Sequence, residues 1–227
     1  MKILAIETSG KICAVALLKD ENIILEKIIE DENTHSVKLM PLINELLKEA
    51  NVKLKDIDLF ACDKGPGSFT GIRIGISTIK AFIDVTNKKA IGITSLESLA
   101  YGVEEEGIIC SLIDAKNENV YYGLFKKENN SIAQVRNSEF NNINEIINQL
   151  NQKQESIIFI GDGSINHKNL IKDSLKEKAI FVSEEKCKLN ARNIALAAYT
   201  KKGEAIDSDK LVPVYLRKSS AERALEK

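Results

Sequence analysis

Tryptophan is absent from the chain, and only two histidines and four cysteines occur in its 227 residues. Cys13, Cys62, Cys110 and Cys187 stand far apart, with no C-x-x-C pair and no histidine at ligand spacing. A zinc site is therefore not predicted. The first three cysteines lie among apolar or small residues, which favours buried, unreactive thiols. We expect a reduced protein that holds no metal through its own side chains.

Long apolar runs and an excess of one charge are also missing. No run approaches the roughly 20 residues of a membrane span. Met1-Lys2 leads directly into a strand-like segment, so a signal peptide is not predicted. We expect a cytoplasmic protein with no membrane partner. The 32 basic and 33 acidic residues give a net charge of -1, which provides no general attraction for nucleic acid.

The order of apolar patterns indicates a duplicated α/β fold. Three strand-like runs open the chain and are followed by alternating helices and strands, giving β-β-β-α-β-α-β-α over residues 1–103. The second half repeats the opening β-β-β-α-β-α order. This order is typical of the actin-like ATPase (ASKHA, ribonuclease H-like) fold. We predict two lobes, residues 1–103 and 104–227, each with a mixed sheet and helices, joined near 102–107.

Two helices of the first lobe carry much of its apolar surface. Residues 36–49 form an amphipathic helix that Ser36 or Thr34 is placed to cap. Residues 69–85 form a second helix that is apolar on most of its circumference and must be covered on more than one side. Its glycines at four-residue spacing suggest an edge that another helix can approach. A fully buried helix and an interface helix share this pattern.

A glycine-rich loop, Gly65-Pro-Gly-Ser-Phe-Thr-Gly71, precedes that second helix. Its spacing fits neither the P-loop nor the Rossmann loop. Free backbone N–H groups at a helix start can still bind an anion, which makes Gly65, Gly67 and Ser68 candidate contacts. The alternative is a tight turn that needs the backbone freedom of glycine.

Polar residues end the first strand of each half. Glu7, Thr8 and Ser9 follow the first strand, and Asp114 holds the corresponding position in the second half. Two such carboxylates would suit a magnesium nucleotide or acid–base chemistry. The alternative is that each residue caps a local turn. Neither His35 nor His167 has an evident partner, and no G-x-S-x-G nucleophile elbow occurs.

Several motifs together resemble the TsaB (YeaZ) family over nearly the whole chain. Besides the segments already named, they are His35-Ser-x-x-Leu-Met-Pro-Leu-Ile43, Gly92-Ile-Thr-Ser-Leu-Glu97, Asp114-Ala-Lys with Tyr121, and Pro213-Val-Tyr-Leu-Arg217. The resemblance implies the actin-like fold and a role in making threonylcarbamoyladenosine (t6A) in ANN-decoding tRNAs. In that pathway a TsaD-type subunit transfers threonylcarbamoyl from threonylcarbamoyl-AMP to N6 of the adenosine next to the anticodon.

The resemblance further implies a scaffold that activates the TsaD-type (Kae-type, glycoprotease-like) subunit, with a TsaE-type ATPase joining them and tRNA reached through the complex. The TsaD-type metal pair, His-x-x-x-His, is missing after residues 95–102, so no catalysis is expected. The chain itself should need no cofactor, while ATP or ADP with magnesium is compatible with the complex. Alone, the chain is expected to form a homodimer.

The implied docking face lies on the two first-lobe helices. Its expected contact residues are His35, Leu39, Met40, Ile43, Phe69, Ile72, Arg73 and Ile76. We expect Ile76→Glu to abolish partner binding and to leave the fold intact. The tail, residues 217–227, is expected either to be mobile or to pack on a partner.

Two alternatives remain open. One is a small ATP-dependent kinase or hydrolase of the same fold that uses Glu7 and Asp114 with magnesium. The other is a module that binds tRNA directly, which the neutral charge disfavours. ATP turnover by the chain alone would favour the first, and salt-sensitive tRNA binding without a partner would favour the second.

Overall fold

The computed structural model describes residues 1–30, 35–129 and 131–217. Contacts divide the chain into two compact units. Unit 1 contains Met1–Ser98 and Leu189–Val214, and unit 2 contains Leu99–Lys188 and, at the end of the described chain, residues 215–217. The predicted cap Thr34 and the predicted tail beyond Arg217 lie outside the described residues.

Unit 1 is built on a mixed five-stranded sheet of order β3-β2-β1-β4-β5. The first three strands pair antiparallel, whereas β1, β4 and β5 run parallel. Its elements are β1 (Lys2–Glu7), β2 (Ile12–Lys19), β3 (Asn22–Glu30), α1 (His35–Glu49), β4 (Leu59–Asp63), α2 (Phe69–Thr86) and β5 (Lys89–Ile93), followed by α3 (Ser95–Tyr101), which spans the boundary between the units.

The side chains of β2 point alternately to the two faces of the sheet, so the core of unit 1 lies on both faces. Cys13, Val15 and Leu17 join the apolar cluster that includes the inner sides of α1 and α2. Their neighbours Ile12, Ala14 and Ala16 cluster instead with Ala191. Because successive side chains of a strand point to opposite faces, helices cover both sides of this sheet.

The helix that begins at Ala191 belongs to unit 1, although the sequence predicts it in the second lobe. It is α7 (Ala191–Thr200), which packs on β1 and β2 of unit 1, although the prediction placed it in the lobe 104–227. Ile206 then pairs with Ala90, and the Val214 N–H donates to the Lys64 carbonyl. The alanine-rich face of β2 leaves room for a close helix, but periodicity alone does not say which sheet a helix covers.

Unit 2 repeats the arrangement with a sheet of order β10-β9-β6-β7-β8. Its core includes Leu112, Tyr122, Ile146, Phe159 and Ile171. The elements are β6 (Gly107–Asp114), β7 (Asn119–Glu128), β8 (Ser131–Asn142), α4 (Ile143–Asn151), β9 (Ile157–Ile160), α5 (Asp162–Asn166), α6 (Lys168–Leu175) and β10 (Ala179–Phe181). Two mixed sheets with helices confirm the predicted fold class.

Details of unit 2 depart from the sequence prediction. The apolar pattern predicts a strand over only residues 132–135, whereas β8 extends over Ser131–Asn142. It also predicts one helix over residues 167–175, whereas the short α5 precedes α6. The polar residues of β8 conceal its length, because an edge strand exposed to water needs little apolar character. All four cysteines are buried and unpaired, as predicted for the first three.

Across residues 1–30, 35–129 and 131–217, no helix combines the length and the apolar character needed to cross a bilayer.

Candidate functional site

The glycine-rich loop of unit 1 is bonded directly to the end of β1. The Ser68 N–H donates to the Ser9 carbonyl over 2.7 Å, and the Thr8 hydroxyl donates to the Gly71 carbonyl over 2.8 Å. Ser68 is also the N-cap of α2, where its side chain accepts from the Gly71 N–H. The start of α2 is therefore fixed to β1 by backbone and side-chain bonds.

Gly67, just before α2, and Gly71 and Gly75 within it leave space that the end of β1 occupies. A Cβ added at Gly67 would lie 2.5 Å from the Ser9 carbonyl oxygen, and one at Gly71 would overlap the Thr8 carbonyl oxygen. At Gly75 the added atom would lie 2.6 Å from the Thr8 hydroxyl. The interpretation of this edge as a surface for another helix is therefore wrong: the backbone of β1 occupies it.

This packing does not fit a phosphate group in unit 1. Thr8 and Ser9 are almost fully buried, and their carbonyl oxygens fill the space next to Gly67 and Gly71. Gly65, with a φ of +100°, lies against the Val214 carbonyl oxygen in the same way. Carbonyl oxygens repel an anion, so the structure brings these predicted contacts together as internal packing. Ser68 alone among them is exposed.

Glu7 is likewise engaged inside unit 1. Its Oε1 accepts from the Ser9 N–H, the Ser9 hydroxyl and the Gly10 N–H. Asp63, the last residue of the neighbouring parallel strand β4, is its next neighbour across the strands. Burial, and then the charge of Asp63, raises the pKa of Glu7 well above its ordinary range. An enclosed carboxyl group whose pKa is raised by burial does not fit a magnesium ligand.

Asp114 occupies the corresponding position in unit 2, but its side chain is 25% exposed and has different bonding partners. Its two carboxylate oxygens accept from the Lys116 N–H and the Asn166 amide, each over 3.0 Å. Its own N–H donates to Asp162, and the Nε2 of His167 lies 3.9 Å from its Oδ1. Within the described ranges, no group of three or more acidic, histidine or cysteine side chains is arranged to hold a metal ion.

Sequence reasoning missed Asp63 and the neighbours of Asp114. A usable signal existed for Asp63, because the ends of adjacent parallel strands meet at one edge of a sheet. For His167 none existed, since it lies far from Asp114 along the chain and approaches it only through the turn of α5.

The predicted docking residues divide into buried and exposed sets. Leu39, Ile43, Ile72 and Ile76 belong to the apolar core of unit 1, and His35 is also buried. These side chains face the sheet, because the most apolar stripe of a surface helix covers its own core. The expectation that Ile76→Glu leaves the fold intact is therefore wrong.

The outward side of the same helices forms a surface that we call the docking surface. It consists of Val37, Met40 and Pro41 on α1 with Phe69, Arg73 and Ser77 on α2. The side chains of Val37 and Met40 are 73% and 43% exposed, and the Arg73 guanidinium lies 5.5 Å from the centre of the half-buried Phe69 ring. The two helices pack side by side on one face of the sheet.

Two units of the same β-β-β-α-β-α order, each with a mixed five-stranded sheet, define a protein of the actin-like ATPase fold class. Solved structures agree on the fold. YeaZ from Pseudomonas aeruginosa matches with a TM-score of 0.78 at 23% identity, covering 95% of this chain and 99% of that one. The ROK hexokinase from Thermus thermophilus matches with a TM-score of 0.55 at 9% identity, covering 90% of this chain and 100% of that one.

Sequence comparisons identify the family within this fold class. The family model TsaD, tRNA N6-adenosine threonylcarbamoyltransferase, matches residues 23–225. The tRNA threonylcarbamoyladenosine biosynthesis protein TsaB of Bacillus subtilis is 34% identical over 98% of this chain and 96% of its own length. The chain belongs to the TsaB family.

Proposed function

We propose that this chain acts in the biosynthesis of tRNA threonylcarbamoyladenosine as the non-catalytic subunit that binds and activates a TsaD-type transferase. The proposal is supported by the 34% identity to a TsaB protein over nearly the full length of both chains. It is also supported by the match of residues 23–225 to the TsaD family model, since two proteins of one fold can pair through corresponding helices.

The docking surface is the observation that carries this proposal. A helix pair that already covers its own sheet still presents Val37 and Met40 to solvent. Exposed apolar side chains on α1, beside a helix on which the Arg73 guanidinium lies over the Phe69 ring, are typical of protein interfaces, where Met, aromatic residues and Arg are enriched. The TsaD-type subunit is the proposed occupant, and a second copy of this chain occupies the surface when that subunit is missing.

The chemistry of unit 1 supports the proposed non-catalytic role. Glu7, Thr8 and Ser9, the strand-end residues that an enzyme of this fold would use, are bonded internally. The small ATP-dependent enzyme considered above therefore loses one of its two proposed magnesium ligands. We infer that ATP or ADP with magnesium is held by other subunits of the complex. A TsaE-type ATPase and tRNA join through that complex in the cytoplasm.

The test is light scattering of the purified chain, alone and mixed with its cognate TsaD-type subunit, for the wild type, Met40→Asp and Arg73→Glu. A wild-type homodimer should give way to a heterodimer. Both variants should weaken the heterodimer at least about tenfold, since a charge or a charge reversal at an interface centre costs well over 1 kcal/mol. Reconstituted t6A formation on tRNA should fall in parallel.

Ile180→Asp is the matched control, because Ile180 is 46% exposed on β10 of unit 2, close to the exposure of Met40. It should bind the TsaD-type subunit as the wild type does. Wild-type heterodimer formation by Met40→Asp and Arg73→Glu would contradict the docking surface. A chain that never binds the TsaD-type subunit, or that hydrolyses ATP alone, would contradict the proposed function itself.

A further inference from the structure

Two carboxyl groups of unit 1 meet where β1 and β4 end. Glu7 and Asp63 are 0% and 2% exposed. Parallel pairing of β1 with β4 brings the two strand ends to the same edge of the sheet. Because Ile6 pairs with Cys62, Glu7 and Asp63 are the next neighbours across the two strands, and the charge of Asp63 helps to raise the pKa of Glu7.

Each of the two carboxyl groups has one oxygen that accepts hydrogen bonds and one that receives none from the described residues. Oε1 of Glu7 accepts from the Ser9 N–H at 2.6 Å, the Ser9 hydroxyl at 2.7 Å and the Gly10 N–H at 3.1 Å. Oδ1 of Asp63 accepts from the Gly65 N–H and from the Ser95 hydroxyl. No donor in the described part of the chain reaches Oε2 of Glu7 or Oδ2 of Asp63.

Two ionised carboxylates are acceptors only, so they repel each other in a site that excludes water. A single proton held between two such oxygens removes one charge and satisfies both atoms at once. Carboxyl pairs in this arrangement lose their two protons in well-separated steps. The geometry thus favours one protonated and one ionised group.

We propose that Glu7 and Asp63 share one proton. The resulting carboxyl–carboxylate hydrogen bond is a pH-sensitive contact that holds the end of β1 against the glycine-rich loop before α2. Loss of the proton as the pH rises leaves two adjacent negative charges and separates the loop from the strand. The inference concerns unit 1 alone and does not depend on the proposed function.

Two thiols and a lysine lie near the pair. Cys13 of β2 and Cys62 of β4 are the neighbouring thiols, and burial raises the pKa of each, that of Cys13 to about 11. Lys64, next to Asp63 in the chain, contributes the nearby positive charge felt by Cys62. From α3 the pair is faced by the uncharged Ser95, whose hydroxyl donates to Asp63.

The direction of the pH effect follows from burial. Burial raises the pKa of both carboxyl groups above their ordinary values. A group with a raised folded-state pKa contributes its full stability below the unfolded pKa of about 4, and that contribution is lost as the pH rises through the folded pKa. The contact is therefore complete in acid and weakens as the pH rises through the raised folded-state pKa.

Amide variants test the shared proton directly. In Glu7→Gln the amide oxygen can keep the bonds from Ser9 and Gly10 while the NH₂ group donates to Oδ2 of Asp63, so the variant imitates the protonated state permanently. Carboxyl ¹³C NMR on the wild type should show one carboxyl carbon that titrates above the ordinary range and is missing in Glu7→Gln. Hydrogen-exchange protection of the amides from Gly65 to Gly71 should fall with rising pH in the wild type and stay level in Glu7→Gln.

The double variant Glu7→Gln/Asp63→Asn is the second arm. It sets two NH₂ groups against each other, or turns one of them toward the N–H donors of Ser9 and Gly10. Its thermal midpoint should therefore fall by more than the sum of the two single variants. Asp114→Asn, at the matching strand end of unit 2, should keep the wild-type pH dependence of loop protection.

Two results would overturn the proposal. One is a Glu7 carboxyl carbon that titrates in the ordinary range while loop protection in Glu7→Gln still falls with pH. The other is a double variant whose midpoint equals the sum of the single variants.

Discussion

Glu7 ends the first strand of unit 1, and Asp114 ends the first strand of unit 2. The two acids hold the same place in the same order of elements, yet Glu7 is fully enclosed whereas the Asp114 side chain is 25% exposed. The neighbouring strand makes the difference. β4 ends in Asp63, which pairs with Glu7, whereas β9 ends in Ile160 and leaves Asp114 to Lys116, Asn166 and His167. Topology fixes where a polar strand end lies, and its neighbours fix its chemistry.

Backbone geometry, by contrast, is repeated between the units. Gly65 and Gly161 both follow the parallel neighbour of the first strand, and both have a φ of +100°. A Cβ at either position would collide with a carbonyl oxygen, that of Val214 in unit 1 and that of Leu112 in unit 2. Close backbone approach therefore persists in both units, while the charged groups around it differ.

The largest expected effect tests this shared geometry. Gly65→Ala and Gly161→Ala should each destabilise the protein by about 3 kcal/mol or more, because the added Cβ meets a backbone carbonyl that cannot move aside and the residue keeps a positive φ. Gly203→Ala is the control, since nothing lies within 4 Å of its added Cβ. Denaturant unfolding measures all three. Tolerance of only one of the first two would mean that the units do not share this requirement.

Corresponding core helices should respond alike. Ile76 on α2 and Ile171 on α6 are buried in the cores of their respective units. Replacing either with Ala should cost about 3 kcal/mol through lost burial and a cavity. Urea unfolding followed by a probe in each unit checks this. A loss under about 1 kcal/mol at one site would show a looser core in that unit.

The strand-end acids should respond differently to pH. Because the folded-state pKa of Glu7 is raised, the free energy of unfolding should fall as pH rises above about 4, by up to about 1.4 kcal/mol per pH unit for one proton. Glu7→Gln should flatten this slope. Asp114→Asn should retain it, since Glu7 and Asp63 remain. Equal slopes for all three proteins in urea titrations from pH 4 to pH 9 would contradict the difference between the units.

The smallest effects concern the bonds to each acid. Ser95→Ala removes a buried hydroxyl that donates to Asp63 and should cost about 1 kcal/mol. Asn166→Ala removes a solvent-exposed bond to Asp114 and should cost about 0.5 kcal/mol. Thermal unfolding of both variants at neutral pH gives the ratio. A larger loss for Asn166→Ala would reverse the assignment of which strand end is enclosed.

The sequence predicted the order of the elements well, but it predicted less well which helix residues face the sheet and which face outward. Apolar periodicity predicted α1, α2 and the duplicated strands, and apart from β8 their bounds agree within a few residues. It placed Ile72 and Ile76 on a partner-facing surface, whereas they cover the sheet. An apolar stripe records that a residue is covered, and the covering element is chosen by packing.

By itself the sequence determined the two-unit α/β fold and the family, because these depend on local patterns and on motifs contiguous in the chain. Only the tertiary structure decided that α7 returns to unit 1, that β1 fills the glycine edge of α2, and that Glu7 meets Asp63. Each of these joins residues far apart in the chain. Strand pairing and close packing bring such residues together, and no local period records that meeting.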